Sequence, residues 1–113
     1  MLSIDKLKNF GANTEEGLKR CVNKEDFYLR MVNSSLKGDQ MEQLEAALKA
    51  KDLDKAFETA HTLKGVYGNL SLTPLYEPMS KMTELLRSRT DMDYSELLGE
   101  CQTKLKELKS LAE

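Results

Sequence analysis

The stretch AHTLKGVYG occupies residues 60–68, near the middle of a chain of 113 residues, and it holds the only histidine, His61. On a helical wheel at ~100° per residue, the apolar side chains between residues 52 and 70 collect on one face. This clustering predicts an amphipathic helix that buries that face and turns His61 toward solvent. The predicted buried face consists of Ala56, Thr59, Ala60, Leu63, Val66, Tyr67 and Leu70.

The neighbours of His61 on the wheel are mostly polar. A lone histidine in such surroundings is usually an ordinary solvated side chain. Two glycines nearby favour a functional role for His61, because each glycine inside a helix lowers stability by about 0.5–1 kcal/mol relative to alanine. We expect them to leave the imidazole open to another molecule. The residues within about 60° of His61 are Asp54, Phe57, Glu58, Lys64, Gly65 and Gly68.

Lys64 adds a cation three residues after His61, one turn along the same face. Its ammonium can swing beside the imidazole as a mobile point charge with three donors. A cation at this place suits a ring that carries an anionic group better than it suits a bare imidazole. Together, His61 and Lys64 suggest attack by a ring nitrogen on an activated phosphoryl group, which the ring then holds as a phosphoramidate.

Helix start and stop signals divide the rest of the chain into further helices. There is no convincing two-residue alternation of apolar and polar residues, and no Asn-Gly or Asp-Gly hairpin signal. We therefore expect an all-α fold, an antiparallel up-and-down four-helix bundle with short extra helices at the N-terminus. The start signals are Ser3, Asn13, Asn23, Asp39, Asp52, Thr73 and Asp93, and the stop signals are Gly11 and Gly38.

Three positions give sharper expectations about individual helices. Pro78 lies one turn inside the helix that Thr73 begins, where a proline removes a hydrogen bond and clashes with the preceding turn. This helix is expected either to kink near its start or to begin its regular part near Pro78. Val22 and Met31 fall on the apolar stripes of the N-terminal helices, so both are expected to face the core.

The composition fits a single compact domain over residues 1–113. Seventeen Lys and Arg against nineteen Asp and Glu give a net charge of −2, so no positive field gathers nucleic acid or anionic lipid. No apolar run approaches the roughly 20 residues of a membrane span. We expect a cytoplasmic monomer that binds neither nucleic acid nor membrane. Cys21 and Cys101 continue apolar helical stripes, which predicts buried, reduced thiols.

The central stretch resembles the histidine-containing phosphotransfer (HPt) domains of two-component phosphorelays. Their helix reads His-x-x-Lys-Gly, often within Ala-His-Thr-Leu-Lys-Gly as at residues 60–65, and continues to an Asn and an aliphatic residue, as at residues 68–70. Segments 27–30 and 72–75 resemble the family as well. The chain departs from the pattern with larger residues at 66 and 67, and with Ser71 where the family often has glycine.

The resemblance implies a phosphoryl carrier and not an enzyme. His61 would accept the phosphoryl group from a receiver-domain aspartate and pass it to another receiver. Lys64 would steady the phosphoryl oxygens, while Gly65 and Gly68 would be access positions. No cofactor of its own is implied, because Mg²⁺ belongs to the receiver, and the chain has no Gly-rich nucleotide loop. The implied partners are response-regulator receiver domains, including one of a hybrid histidine kinase, although Met1 and the lack of a linker favour a free-standing protein.

Other interpretations remain open beside this one. The chain could be a receiver-binding module of the same fold that is not itself phosphorylated. An enzyme that uses His61 as general base is disfavoured because no carboxylate is placed to orient the ring. A metal site is also disfavoured, because one histidine and two distant cysteines supply too few ligands. Phe57, with Asp54 and Glu58, is a candidate for partner docking, but its ring can equally pack under a neighbouring helix.

Overall fold

The computed structural model describes all of residues 1–113 and consists of seven helices without a strand, which confirms the predicted all-α class. Helices α4 to α7 form the up-and-down bundle, in which α4 packs on α5, α5 on α6 and α6 on α7. A hydrogen bond of 3.1 Å from Gln102 to Glu45 joins α7 back to α4. The helices are α1 (Ile4–Phe10), α2 (Thr14–Arg20), α3 (Glu25–Ser35), α4 (Gln40–Lys49), α5 (Leu53–Asn69), α6 (Thr73–Arg87) and α7 (Ser95–Leu111).

Three of the predicted start signals act as side-chain caps. Ser3, Asn13 and Asp52 each accept a hydrogen bond from the backbone N–H three residues further on, at 3.1, 3.2 and 3.1 Å. Each bond satisfies a donor that a helix N-terminus otherwise leaves unpaired. Gly11 ends α1 in the left-handed conformation, with φ of 110°. The predicted bounds of α1 and the start of α5 are therefore confirmed.

Two other predicted caps are wrong. Asn23 does not begin α3, because it lies in a left-handed turn with φ of 58° and the helix starts after Lys24. Asp39 does mark the start of α4, as predicted, but its side chain does not cap the helix, since its carboxylate accepts a hydrogen bond of 2.8 Å from the side chain of Gln43. At the start of both helices, no side chain accepts a hydrogen bond from the backbone N–H groups of the first turn.

Helix α6 is continuous through its internal proline. It begins at Thr73 and contains the buried Pro78. The expectation that the regular part of the helix begins near Pro78 is therefore wrong. Pro74 lies in the first turn, where its missing N–H removes no helical hydrogen bond. The prediction that Asp93 caps α7 is wrong, because Tyr94 is the residue before the helix and the Asp93 carboxylate accepts from the backbone N–H of Ser95, at 2.9 Å, and not from that of Glu96.

The N-terminal helices pack on the bundle through Tyr28, which is fully buried. Its hydroxyl donates a hydrogen bond of 2.8 Å to the carbonyl of Leu70, at the end of α5. Helix α2 covers the ring, since a Cβ at Gly17 would lie only 2.5 Å from Cζ of Tyr28. Burial raises the pKa of this hydroxyl to about 12, so it remains a donor at neutral pH.

Val22 and Met31 do not face the core, and these two predictions are wrong. Val22 is 72% exposed because it lies beyond the end of α2 with φ of 50°, where the helical phase no longer applies. Met31 is 42% exposed because α3 buries a narrow face around Tyr28 and Val32. The exposed positions show that periodicity fails where a helix is short or has already ended.

The two cysteines are buried and unpaired, as expected. Burial raises the pKa of the Cys101 thiol to about 12, which keeps it in the unreactive protonated form. No helix combines the length and the hydropathy that crossing a bilayer requires.

Candidate functional site

Helix α5 presents His61 to solvent. Its buried residues Ala56, Ala60, Leu63 and Tyr67 face the bundle core, and His61 is exposed on the other side. The helix is held at its start by the Asp52 cap and at its end by the hydrogen bond to Tyr28. The wheel therefore predicted the orientation of the imidazole correctly.

The imidazole stacks on Phe57, one turn earlier on the same helix. The two ring centroids are 5.6 Å apart, with 29° between the planes. Phe57 is half-buried, and the guanidinium groups of Arg87 and Arg89 lie 5.0 and 4.9 Å from its centroid. Both distances are in the range of cation–π contacts. Phe57 is thus covered from within the chain and supports the imidazole, which agrees with the alternative in which its ring packs against neighbouring residues.

Lys64 is held by helix α6. Its ammonium donates to the Glu84 carboxylate at 3.4 Å, and its side chain is only 24% exposed. Glu84 also accepts two hydrogen bonds from Arg87, at 3.3 and 3.4 Å. The bonds and charge of Arg87, together with the bond from Lys64, lower the pKa of Glu84, so the carboxylate stays ionised at neutral pH. Lys64 is therefore not the freely swinging cation that the sequence suggested.

These contacts form a chain of five side chains that begins at His61. The imidazole stacks on Phe57, Arg87 lies over Phe57, Glu84 holds Arg87, and Lys64 donates to Glu84 from a position one turn after His61 on α5. We call His61, Phe57, Lys64, Glu84 and Arg87 the His61 cluster. Two of its members, Glu84 and Arg87, come from α6, so the site is built by the α5–α6 pair and not by α5 alone.

The residues expected to dock a partner differ in their availability. The Asp54 carboxylate accepts a hydrogen bond of 2.6 Å from Arg89, which also covers Phe57. Glu58 is exposed and has no ion pair. Asp54 and Phe57 are therefore engaged within the chain, whereas Glu58 is free to meet a partner.

Gly65 and Gly68 have different surroundings. A Cβ built on Gly65 would meet nothing within 4 Å, so no packing inside the protein requires a glycine there. A Cβ on Gly68 would lie 3.0 Å from Cε1 of Tyr76, a contact tight enough to require the ring to move. Gly68 is thus explained by close packing of α6, which corrects its interpretation as a second open access position, and Gly65 alone faces open space.

A groove of about 480 Å³ runs beside His61. Lys64, Gly65 and Gly68 line it from α5, and Glu16 and Arg20, paired at 2.9 Å, line it from α2. The groove is open to solvent, and His61 is one of the residues that line it. No three His, Cys, Asp or Glu side chains converge where they could hold a metal ion.

Ser71, at the α2 end of the groove, adopts a conformation that favours glycine. Its φ is 56°, and its backbone carbonyl accepts a hydrogen bond of 2.9 Å from Asn13. The hydroxyl oxygen is buried without a hydrogen-bond partner. A glycine would fit this left-handed turn without strain, which explains why glycine suits this position, but nothing in the structure explains the serine.

Three residues of the site were missed by the sequence reasoning, namely Glu84, Arg87 and Arg89. Their polar side chains near the end of α6 are typical of an exposed face, but no local sequence pattern shows that this face contacts α5. The spacing of Glu84 and Arg87 at i and i+3 does indicate a pair within α6, and that pair is observed at 3.3 Å.

A family model described as Hpt domain matches residues 38–111, which is more than half of the chain. The matched segment includes α4 to α7 and every member of the His61 cluster, whereas α1 to α3 precede it. Comparisons with curated proteins and with solved structures gave no significant match. On the match over α4 to α7, the chain belongs to the Hpt domain family.

Proposed function

We propose that the chain is a phosphorelay carrier, in which His61 accepts a phosphoryl group from a receiver-domain aspartate and passes it to a second receiver. Membership of the Hpt family gives the chain a phosphotransfer role in two-component systems and receiver domains as interaction partners. The observation that carries the proposal is the exposed imidazole of His61, with Lys64 one turn away and open space over Gly65. The carrier acts as a cytoplasmic monomer.

In the proposed transfer, a lone pair on a ring nitrogen of His61 attacks the phosphorus of the aspartyl phosphate. An N–P bond forms while the P–O bond to the aspartate breaks, and the aspartate carboxylate leaves with the electron pair. The other ring nitrogen keeps its proton, and the total charge is the same before and after. Transfer to the second receiver is this reaction in reverse, with a different aspartate as nucleophile.

The chain's own residues position the imidazole and screen the transferred charge. Stacking on Phe57 holds the ring of His61, and Lys64 supplies a cation one turn away. Mg²⁺ on the receiver supplies the remaining charge neutralisation. The open backbone at Gly65 lets the receiver approach the ring.

The proposal predicts a two-step relay. A receiver carrying labelled aspartyl phosphate should transfer its label to this protein as an acid-labile, base-stable phosphohistidine, and an unlabelled second receiver should then remove it. Gel electrophoresis under conditions that preserve the phosphoramidate measures both steps, with receivers from the source organism. Binding to receivers without any labelling would contradict the proposal and support a docking module that is not phosphorylated.

Gly65→Ala is expected to stabilise the protein while it slows transfer. The new methyl group meets no atom within 4 Å, so unfolding should require about 0.5–1 kcal/mol more free energy. The same methyl group lies where the receiver approaches His61, and we expect transfer to slow by about tenfold. Urea denaturation and the rate of labelling measure the two effects.

Gly68→Ala is the matched control for this variant. Its methyl group would lie 3.0 Å from the Tyr76 ring, so the gain in helix propensity should be cancelled or reversed by the forced movement of the ring. A Gly65→Ala protein that transfers phosphate at the wild-type rate would remove the access role of Gly65.

A further inference from the structure

We propose that Glu84 is a positioning residue that determines how strongly the phosphoryl group is retained on His61, because its carboxylate competes with that group for Lys64. This inference rests on the proposed phosphorelay function and deepens it. It concerns a residue of α6 that does not touch the transferred group itself.

The competition follows from where Lys64 is held. Its ammonium lies 3.4 Å from Oε2 of Glu84, and it stands one turn from His61 on the same face of α5. Lys64 carries a single positive charge, which cannot fully neutralise two anions. A phosphoryl group on His61 would bring about −1.5 to −2 charge and three strong acceptor oxygens next to this existing pair.

The carboxylate weakens the hold on the phosphoryl group in two ways. It keeps part of the charge of Lys64 occupied, and it repels the phosphoryl oxygens as a like charge. It also holds Arg87, a second cation of the His61 cluster, through bonds of 3.3 and 3.4 Å. Phosphohistidine therefore stays easier to discharge than it would be with both cations free, which suits a carrier that must release its load.

The test is Glu84→Gln, which keeps the size of the side chain and an acceptor oxygen but removes the charge. At equilibrium with a labelled receiver, the ratio of phosphorylated His61 to phosphorylated receiver should rise roughly 2- to 5-fold, the range that a partly exposed ion pair supports. Glu77→Gln is the matched control, because Glu77 is exposed on the same helix and has no ion pair. It should leave the ratio unchanged.

A second pair of variants separates competition for Lys64 from a general change in α6. In a Lys64→Ala background, adding Glu84→Gln should change the ratio less than it does in the wild type. An equal change with and without Lys64, or no change in Glu84→Gln alone, overturns the inference while the labelling of His61 stands. A wild-type protein that takes no label overturns the proposed function, and this inference with it.

Discussion

His61→Gln is expected to abolish phosphorylation of the protein by receiver domains while the fold stays unchanged. Glutamine is polar and fits an exposed helical position, but its amide nitrogen has no available lone pair for attack on phosphorus. His61 is the only histidine in the chain, so no second imidazole can take its place. Because the side chain is exposed, the free energy of unfolding should change by no more than about 0.5 kcal/mol.

The measurements are label transfer from a phosphorylated receiver, helix content by circular dichroism and the unfolding midpoint in urea. Thr62→Ala is the matched control, since Thr62 is the exposed neighbour and its hydroxyl bonds only to the Glu58 carbonyl of its own helix, at 3.0 Å. This variant should take the label as the wild type does. Acid-labile label that persists in His61→Gln would place the phosphorylated residue elsewhere and contradict the assignment.

The sequence predicted those parts of the fold whose causes are local. Ser3, Asn13 and Asp52 were recognisable as caps because the N–H that each one accepts from is three residues away in the same chain segment. The same applies to the burial of one α5 face, which follows from the 3.6-residue period. Asn23 failed as a start signal because asparagine favours left-handed turns as well as helix caps, and here it adopts the left-handed turn, so α3 begins later than predicted.

The residues of the site also differ in whether the cause of their position is local. His61, Lys64 and Gly65 were found because one helix places all three on a single face. Glu84 and Arg87 were not found, since their approach depends on the crossing and register of α5 against α6, which the sequence of neither helix contains. This dependence on the neighbouring helix limits what a wheel drawn for α5 can show.

Two points about α5 depend on neighbouring residues that the wheel does not include, namely the Gly68 prediction, which was wrong, and the two alternatives for Phe57. Gly68 looked open on the wheel, but the ring of Tyr76 on α6 fills the space over it. For Phe57 the sequence allowed either partner docking or packing under a neighbouring helix, and the Arg87 and Arg89 guanidinium groups cover its ring. The wheel gives the direction in which a side chain leaves its helix, and the packed neighbour decides whether that direction leads to solvent.

Tyr28→Ala is expected to lower the free energy of unfolding by about 3–5 kcal/mol, the range for truncating a buried aromatic side chain. Tyr28 is fully buried, contacts Gly17 of α2 and donates a hydrogen bond of 2.8 Å to Leu70. It lies in α3, before the residues 38–111 that match the Hpt family. The variant therefore tests whether residues 1–37 share one cooperative domain with the bundle, as the single-domain prediction requires.

In one cooperative domain, urea should unfold the protein in a single transition whose midpoint falls strongly in Tyr28→Ala, whether followed by helix content or by tyrosine absorbance. Tyr28→Phe keeps the ring but leaves the Leu70 carbonyl without its partner, so it should lower the free energy of unfolding by only about 1–2 kcal/mol. A bundle transition that is unmoved in Tyr28→Ala would mean that α1 to α3 unfold separately. The α2 wall of the groove beside His61, with Glu16 and Arg20, would then unfold independently of the helix that carries His61.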